Sequence, residues 1–312
     1  MNVAPLLIAY AGLLTFAGPV LLRRARWTDK APRLALATWF SLAGSAVAAA
    51  VLSGVVLVVP YHPVGGGLPG FLRSCLAALD HQWGPTGARL VATTALLVTA
   101  VTAARLAYAA VVVLSRQHRT RRAHLDGIRL RARPDRRTGT LLLDRATPAA
   151  WCLPGDGGTV VVTTGALRAV DAAGLAAVLA HERAHLAGRH HVLTDLARVL
   201  RRAFPGLPLF AQLPAQVDRL VELRADDVAA GRSSRRGVAT ALLALALSGA
   251  PRAALAASGG DTVRRVERLL AAPERLTGLA RGGVVTGNAA SLLLPVMLAA
   301  VPAFTVAQLC CR

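Results

Sequence analysis

Five consecutive residues, His181-Glu182-Arg183-Ala184-His185, carry the side chains best suited to chemistry in this chain. They lie inside the apolar, alanine-rich run Leu175–Leu186, a composition that predicts a helix. A helix turns about 100° per residue, so residues four apart share a face. The two imidazoles then stand side by side, able to grip one metal ion, with the Glu182 carboxylate placed to hold a metal-bound water. This is the HExxH arrangement of zinc peptidase sites, where the histidines ligate and the glutamate acts as general base. An ordinary helix with two incidental histidines is disfavoured, because apolar helices seldom bury three polar groups without a partner.

Catalytic zinc normally takes three protein ligands and leaves one position open. Two residues compete for the third place. His191 completes HExxHxxGxxH with Gly188, but the fold that uses this pattern also needs a downstream methionine turn. The chain's two methionines are Met1 and Met297, and Met297 sits in the last apolar segment. The second candidate is Glu222, in Glu222-Leu223-Arg224-Ala225-Asp226-Asp227. A helix there puts Asp226 one turn after Glu222 on the same face, where it can accept a hydrogen bond from a ligating imidazole. The competing reading is a solvated helix face paired with Arg219 and Arg224. Acidic residues number only 16 in the chain, so a local cluster of three favours Glu222. His191 stays as the alternative ligand.

Hydrophobic residues make up 54% of the 312 and charged ones 17%. The mean hydropathy is +0.49. That composition points to a membrane protein. Val3–Leu22, Leu34–Val59, Ala88–Leu114 and Val284–Leu309 each suffice to cross a bilayer core of about 30 Å. No basic stretch precedes the first, so it lacks the start of a secretory signal peptide. Gly44 and Ala48 give the second a small-xxx-small packing surface. Residues 60–87, rich in Gly and Pro, read as an outer loop. Basic residues cluster after the first and third spans, which places the N-terminus outside and Ser115–Gly283 in the cytoplasm. The expected organisation is a three-span region (1–114), a cytoplasmic zinc peptidase domain (115–283), and a fourth span with a short outer tail (284–312). Arg105, inside the third span, reads as a side chain facing the bundle and snorkelling inward.

The formal charge of +20 resembles a nucleic-acid signal. A basic domain beside a membrane faces anionic headgroups just as well, and no direct nucleic-acid binding is expected. Cys75, Cys152, Cys310 and Cys311 form no CxxC pair. Within the cytoplasmic segment, strands are predicted at Thr140–Leu143 and Thr159–Thr163, with the turn-rich Pro154–Gly158 before the second. Val161 and Val162 of the second strand are candidates for pairing with an extended substrate. Asp171 can cap the helix bearing His181. Further helices are expected around Gln216–Ala230, Val238–Leu247 and Thr262–Leu270. Helices outnumber strands, which predicts an α+β domain.

The three spans, the segments Ala150–Gly155 and Thr159–Leu167, His181–His185, Glu222–Asp226 and the final span together resemble the membrane metallopeptidases of the BlaR/MecR type, relatives of the HtpX-like peptidases. Three spans before the motif and one after favour the BlaR/MecR type. The resemblance implies an α-helical membrane protein with an inserted zincin-like (gluzincin) domain in a bacterial-type plasma membrane. It implies one Zn²⁺ per chain held by His181, His185 and Glu222, with Glu182 as base and Asp226 behind the ligands. It also implies a cytoplasmic protein substrate, in the best-known cases a transcriptional repressor. Membrane-protein quality control, as in HtpX-like enzymes, and a non-catalytic basic binding module are the alternatives. The chain stops at Arg312, where β-lactam sensors continue into a penicillin-binding domain. Sensing is therefore expected to use the spans, the 60–87 loop or a separate partner.

Overall fold

Long apolar runs can satisfy their backbone only within themselves, and here they fold as long helices. The structure, a computed structural model, describes residues 3–58, 67–155, 158–249 and 252–310. Helix α1 (Ala4–Arg24) begins at a proline and ends in two arginines. A short α2 (Trp27–Lys30) leads into α3 (Pro32–Val58), and α4 (Gly67–Arg129) follows. The last helix, α11 (Gly278–Cys310), starts six residues before the apolar run suggests. Among the described residues, four segments are long and apolar enough to cross a membrane: Ala4–Arg24, Pro32–Leu57, Arg89–Arg129 and Gly278–Ala300. Tyr10 on α1 donates to the Ser291 carbonyl of α11 (3.0 Å) and meets Ser45 of α3 (3.2 Å), polar glue between apolar helices. Gly44 of α3 faces Leu292 of α11 at ordinary contact distance.

Of the outer loop expected over 60–87, residues 60–66 lie outside the described residues, and the rest is helical. Phe71, Leu72, Cys75, Leu76 and Leu79 recur at helical spacing, which outweighs the flanking Gly and Pro. The helix breaks at Gly84, whose φ of 70° suits only glycine. Beyond Leu114, α4 continues unbroken to Arg129, so one rod joins the apolar segment to the basic one.

The sheet contains β1 (Ala132–Asp135), β2 (Thr140–Leu143), β3 (Ala150–Leu153) and β4 (Thr159–Thr163) in the order β1-β2-β4-β3. Strand β4 runs parallel to β2 and antiparallel to β3. This corrects the assignment of Val161 and Val162 to substrate pairing. Val161 lies opposite Leu141 on one side and Trp151 on the other, so its strand has no free edge. Its faces are covered too: Val162 packs on Leu179, and Val161 on Leu125 at the end of α4. The edge strands are β1 and β3, and β3 is the one that packs beside α6. The Thr163 N–H donates to the Ala149 carbonyl (3.0 Å), so Trp151 and Leu153 bond β4, while the backbones of Ala150 and Cys152 point outward.

Six helices complete the α+β domain. They are α5 (Thr164–Ala169), α6 (Ala172–Ala187), α7 (His190–Ala203), α8 (Pro208–Arg232), α9 (Arg235–Gly249) and α10 (Arg252–Leu270). Asp171 caps α6 by accepting from the Gly174 N–H at 2.7 Å. The domain interlocks with the long helices. Leu209, Phe210, Leu213, Val217 and Leu220 of α8 share one buried core with Leu22, Ala35, Trp39 and Ala43 of α1 and α3. Val199 and Ala203 of α7 close on Ala109 of α4, where Arg105 Nε donates to the Ala203 carbonyl (2.9 Å).

Leu213→Ala, at a position with no exposure between α8 and α3, should cost about 2–5 kcal/mol. Leu279→Ala, 92% exposed, should change little. Thermal unfolding of the detergent-solubilised protein measures both.

Candidate metal centre

Alanines and a valine on the inner face of α6 (Ala177, Val178, Ala180) pack with Ala229 of α8. Small side chains let the two helices approach, and their polar residues then face one another. His181 Nε2 and His185 Nε2 lie 3.1 Å apart. The two Glu222 oxygens reach them at 3.4 Å each. Tetrahedral zinc with bonds of about 2.05 Å sets its ligand atoms about 3.3 Å apart. The imidazole pair is close to that spacing, and Glu222 meets each imidazole with a different oxygen. With one ligand atom from each residue the three lie within 4.8 Å of one another, so His181, His185 and Glu222 could hold a metal ion. Among the described residues this is the grouping with that property.

His191 is not brought to the pair. Helix α6 ends at Gly188, and Arg189 takes a left-handed conformation (φ 47°) that starts α7 in a new direction. His191 then faces Arg121 and Asp195. Its neighbour His190 turns inward and is buried, its Nδ1 2.9 Å from His185 Nδ1. If His185 offers its Nε2 lone pair to a metal, its Nδ1–H donates to a neutral His190. Gly188 makes this possible: a Cβ there would lie 2.4 Å from His190 Nε2.

Asp226, one turn after Glu222, has no exposed surface and stands 3.0 Å from His181 Nδ1. The approach is off the N–H direction, a close ionic contact rather than an aligned hydrogen bond. The stronger partner of Asp226 is Arg265 on α10, which donates from Nε (2.8 Å) and Nη2 (2.7 Å) in a bidentate fork. Its remaining nitrogen, Nη1, lies 2.9 Å from Glu222. One guanidinium therefore holds both carboxylates. Nothing in the sequence singles Arg265 out, since charged positions on amphipathic helices are ordinarily solvated.

Glu182 faces β3, where Cys152 lies beside its carboxylate. The pKa shifts follow from this crowding. Burial, with the charge of Glu222, pushes Glu182 up to about 7 against the opposing pull of His181. Burial also lifts the Cys152 thiol to about 12, aided by Glu182, which keeps it an inert packing group. For His181 burial acts downward, but Asp226 and Glu222 prevail and raise it to about 9. His190 falls to about 4 through burial and the nearby His185. Asp226 resists burial and is held at about 2 by Arg265 and His181.

The ligand atoms sit between two cavities. His185 and Glu222 border one of about 930 Å³, whose rim carries Arg23, Arg24 and Arg26. His181, Glu182 and Glu222 border one of about 180 Å³, walled by Ala177, Val238, Leu242 and Leu245.

A mostly helical protein with four apolar helices and a site of two imidazoles, a carboxylate and a poised glutamate has the parts of a metallopeptidase. Residues 116–207 match the family model described as Peptidase family M48, and the match supports a zinc metallopeptidase family. The matched residues include His181, Glu182 and His185 and stop short of Glu222 and Arg265. Searches of curated proteins and of solved structures return no match.

Arg265→Ala strands two carboxylates, one fully buried, and should destabilise by about 3–5 kcal/mol, read from thermal unfolding. Metal uptake must displace the His181 proton. Affinity for Zn²⁺ should therefore rise with pH from 7 and level off above about 9, by calorimetric titration across that range. A flat profile would remove His181 from the ligand set.

Proposed function

We propose that this chain is an integral membrane zinc metalloendopeptidase that cleaves cytoplasmic protein substrates. The observation that carries this reading is the convergence of His181 Nε2, His185 Nε2 and the Glu222 carboxylate within reach of one ion, with Glu182 alongside. An ion held by these three residues supplies Lewis acidity, lowering the pKa of a water and polarising the scissile carbonyl. Glu182, buried and with its pKa raised, takes the proton of the attacking water and passes it to the leaving amine. Asp226 and His190 orient the two ligating imidazoles from behind. The outward-facing backbone of Ala150 on the edge strand β3 pairs with an extended peptide, and the small cavity beside it receives one of its side chains. Among the described residues, Arg23, Arg24 and Arg26 have no acidic partner, so the large cavity favours acidic stretches of substrate.

The membrane setting is supported by the four apolar helices, and the cytoplasmic placement of the site by the arginines that flank them. A regulatory substrate of the repressor type, with any sensing partner separate, rests on the resemblance to the BlaR/MecR type.

Glu182→Gln should keep its zinc and lose cleavage, by about two to four orders of magnitude for a lost general base. Mapping new protein N-termini in cells carrying wild type or this variant would reveal the substrates. Full turnover by the variant would overturn the assignment.

A further inference from the structure

We propose that the cleft between α4, α7 and the start of α8 binds the phosphate of an anionic phospholipid, with its acyl chains lying along α4. The proposal rests on the reading of α4 as a membrane span. The cleft encloses about 1010 Å³ and is lined by Arg105, Arg198, Arg201 and Arg202, with Tyr108 beside them and Asp218 as the acid in its wall. Asp218 is only 3.8 Å from Arg198, and Arg198 also leans on Asp195 at 3.6 Å. Asp195 in turn is held by Arg121 through bonds of 2.8 and 2.9 Å. Arg105 spends one N–H on the Ala203 carbonyl, and Arg202 lies 5.4 Å over the Tyr108 ring. Among the described residues, Arg105, Arg201 and Arg202 meet no carboxylate. Positive charge in this cleft is in clear excess.

Position makes that excess informative. Arg105 lies about 16 Å along the helix from Arg116, the first arginine beyond the apolar segment. At such depth an uncompensated guanidinium is costly. The surrounding face of α4 is apolar and open: Leu97, Val101 and Val111 are all more than half exposed. A cationic cleft bordered by an exposed apolar helix matches a molecule with an anionic head and long chains. Asp218 and Ala215 of α8 line both this cleft and the large cavity at the metal centre, and Asp218 lies one turn before Glu222. An occupant of the cleft therefore touches the helix that carries the third ligand.

The test uses the full chain reconstituted in phosphatidylcholine vesicles with and without phosphatidylglycerol, reading the motionally restricted fraction of a spin-labelled phosphatidylglycerol by electron paramagnetic resonance. Arg201→Gln/Arg202→Gln should weaken selectivity for the anionic lipid about tenfold to thirtyfold. Arg201→Lys/Arg202→Lys should retain most of it. Arg133→Gln/Arg136→Gln, which removes the same charge from exposed positions near the sheet, should leave it unchanged. Equal loss in both glutamine pairs would mean diffuse attraction and overturn the site. Displacement of the lipid by millimolar inorganic phosphate would also overturn it, in favour of a soluble anion. Protein that floats with the vesicles yet shows no selectivity sinks this proposal alone. Protein released by carbonate washing sinks the membrane reading with it.

Discussion

Burying two carboxylates beside two imidazoles is unfavourable unless a fixed positive charge compensates, and here that charge is the guanidinium of Arg265. It binds Asp226 through two hydrogen bonds and reaches Glu222 with its third nitrogen. His181, together with this guanidinium, keeps Glu222 ionised against its burial. The site depends on α10 docking over α8 and α9. Leu269, with almost no exposure, anchors that docking in the core shared by Ala177, Ala229 and Val238. The backbone carbonyls at the end of α10 are held in turn by Arg235 of α9. A centre that looks like the property of two helices is thus completed by a third.

The same helix that carries Glu222 is also part of the core shared with the apolar helices α1 and α3. The first half of α8 packs among α1 and α3, and its second half faces α6. Helix α7 bridges similarly from Ala109 of α4 to the His190–His185 contact. Packed cores transmit displacement because they have few voids in which to absorb it. The metal centre and the apolar helices are therefore parts of one packed body rather than a domain hung on a flexible tether.

Chemistry at the centre follows from how each acid is surrounded. Glu182, buried and facing the charge of Glu222, is pushed up to about 7, where a carboxyl exchanges its proton readily. Asp226, met by Arg265, is kept ionised across the physiological range. Residues of one chemical type so acquire different tasks, by burial in one case and by a bound cation in the other.

Much of this was readable from order and spacing alone. Local periodicity places His181 and His185 on one helical face, Asp226 one turn beyond Glu222, and four apolar runs in long helices, because each depends on neighbours within a few residues. Asp171 as a cap and the β2 and β4 strands are local in the same sense. What tertiary structure alone decided involves partners far apart in the chain. The edge strands β1 and β3 are four residues each with weak patterns, and only pairing defines them. Val161 has a fine strand pattern, yet β4 became the centre of the sheet, which removed it from any substrate role. His191 fits a ligand spacing that the turn at Arg189 cancels, while His190 takes a place beside His185. Arg265, 39 residues from Asp226, looks like any other arginine until α10 folds over the site. Helical periodicity records which residues share a face, but it carries no information about which distant charge will meet them once the chain is packed.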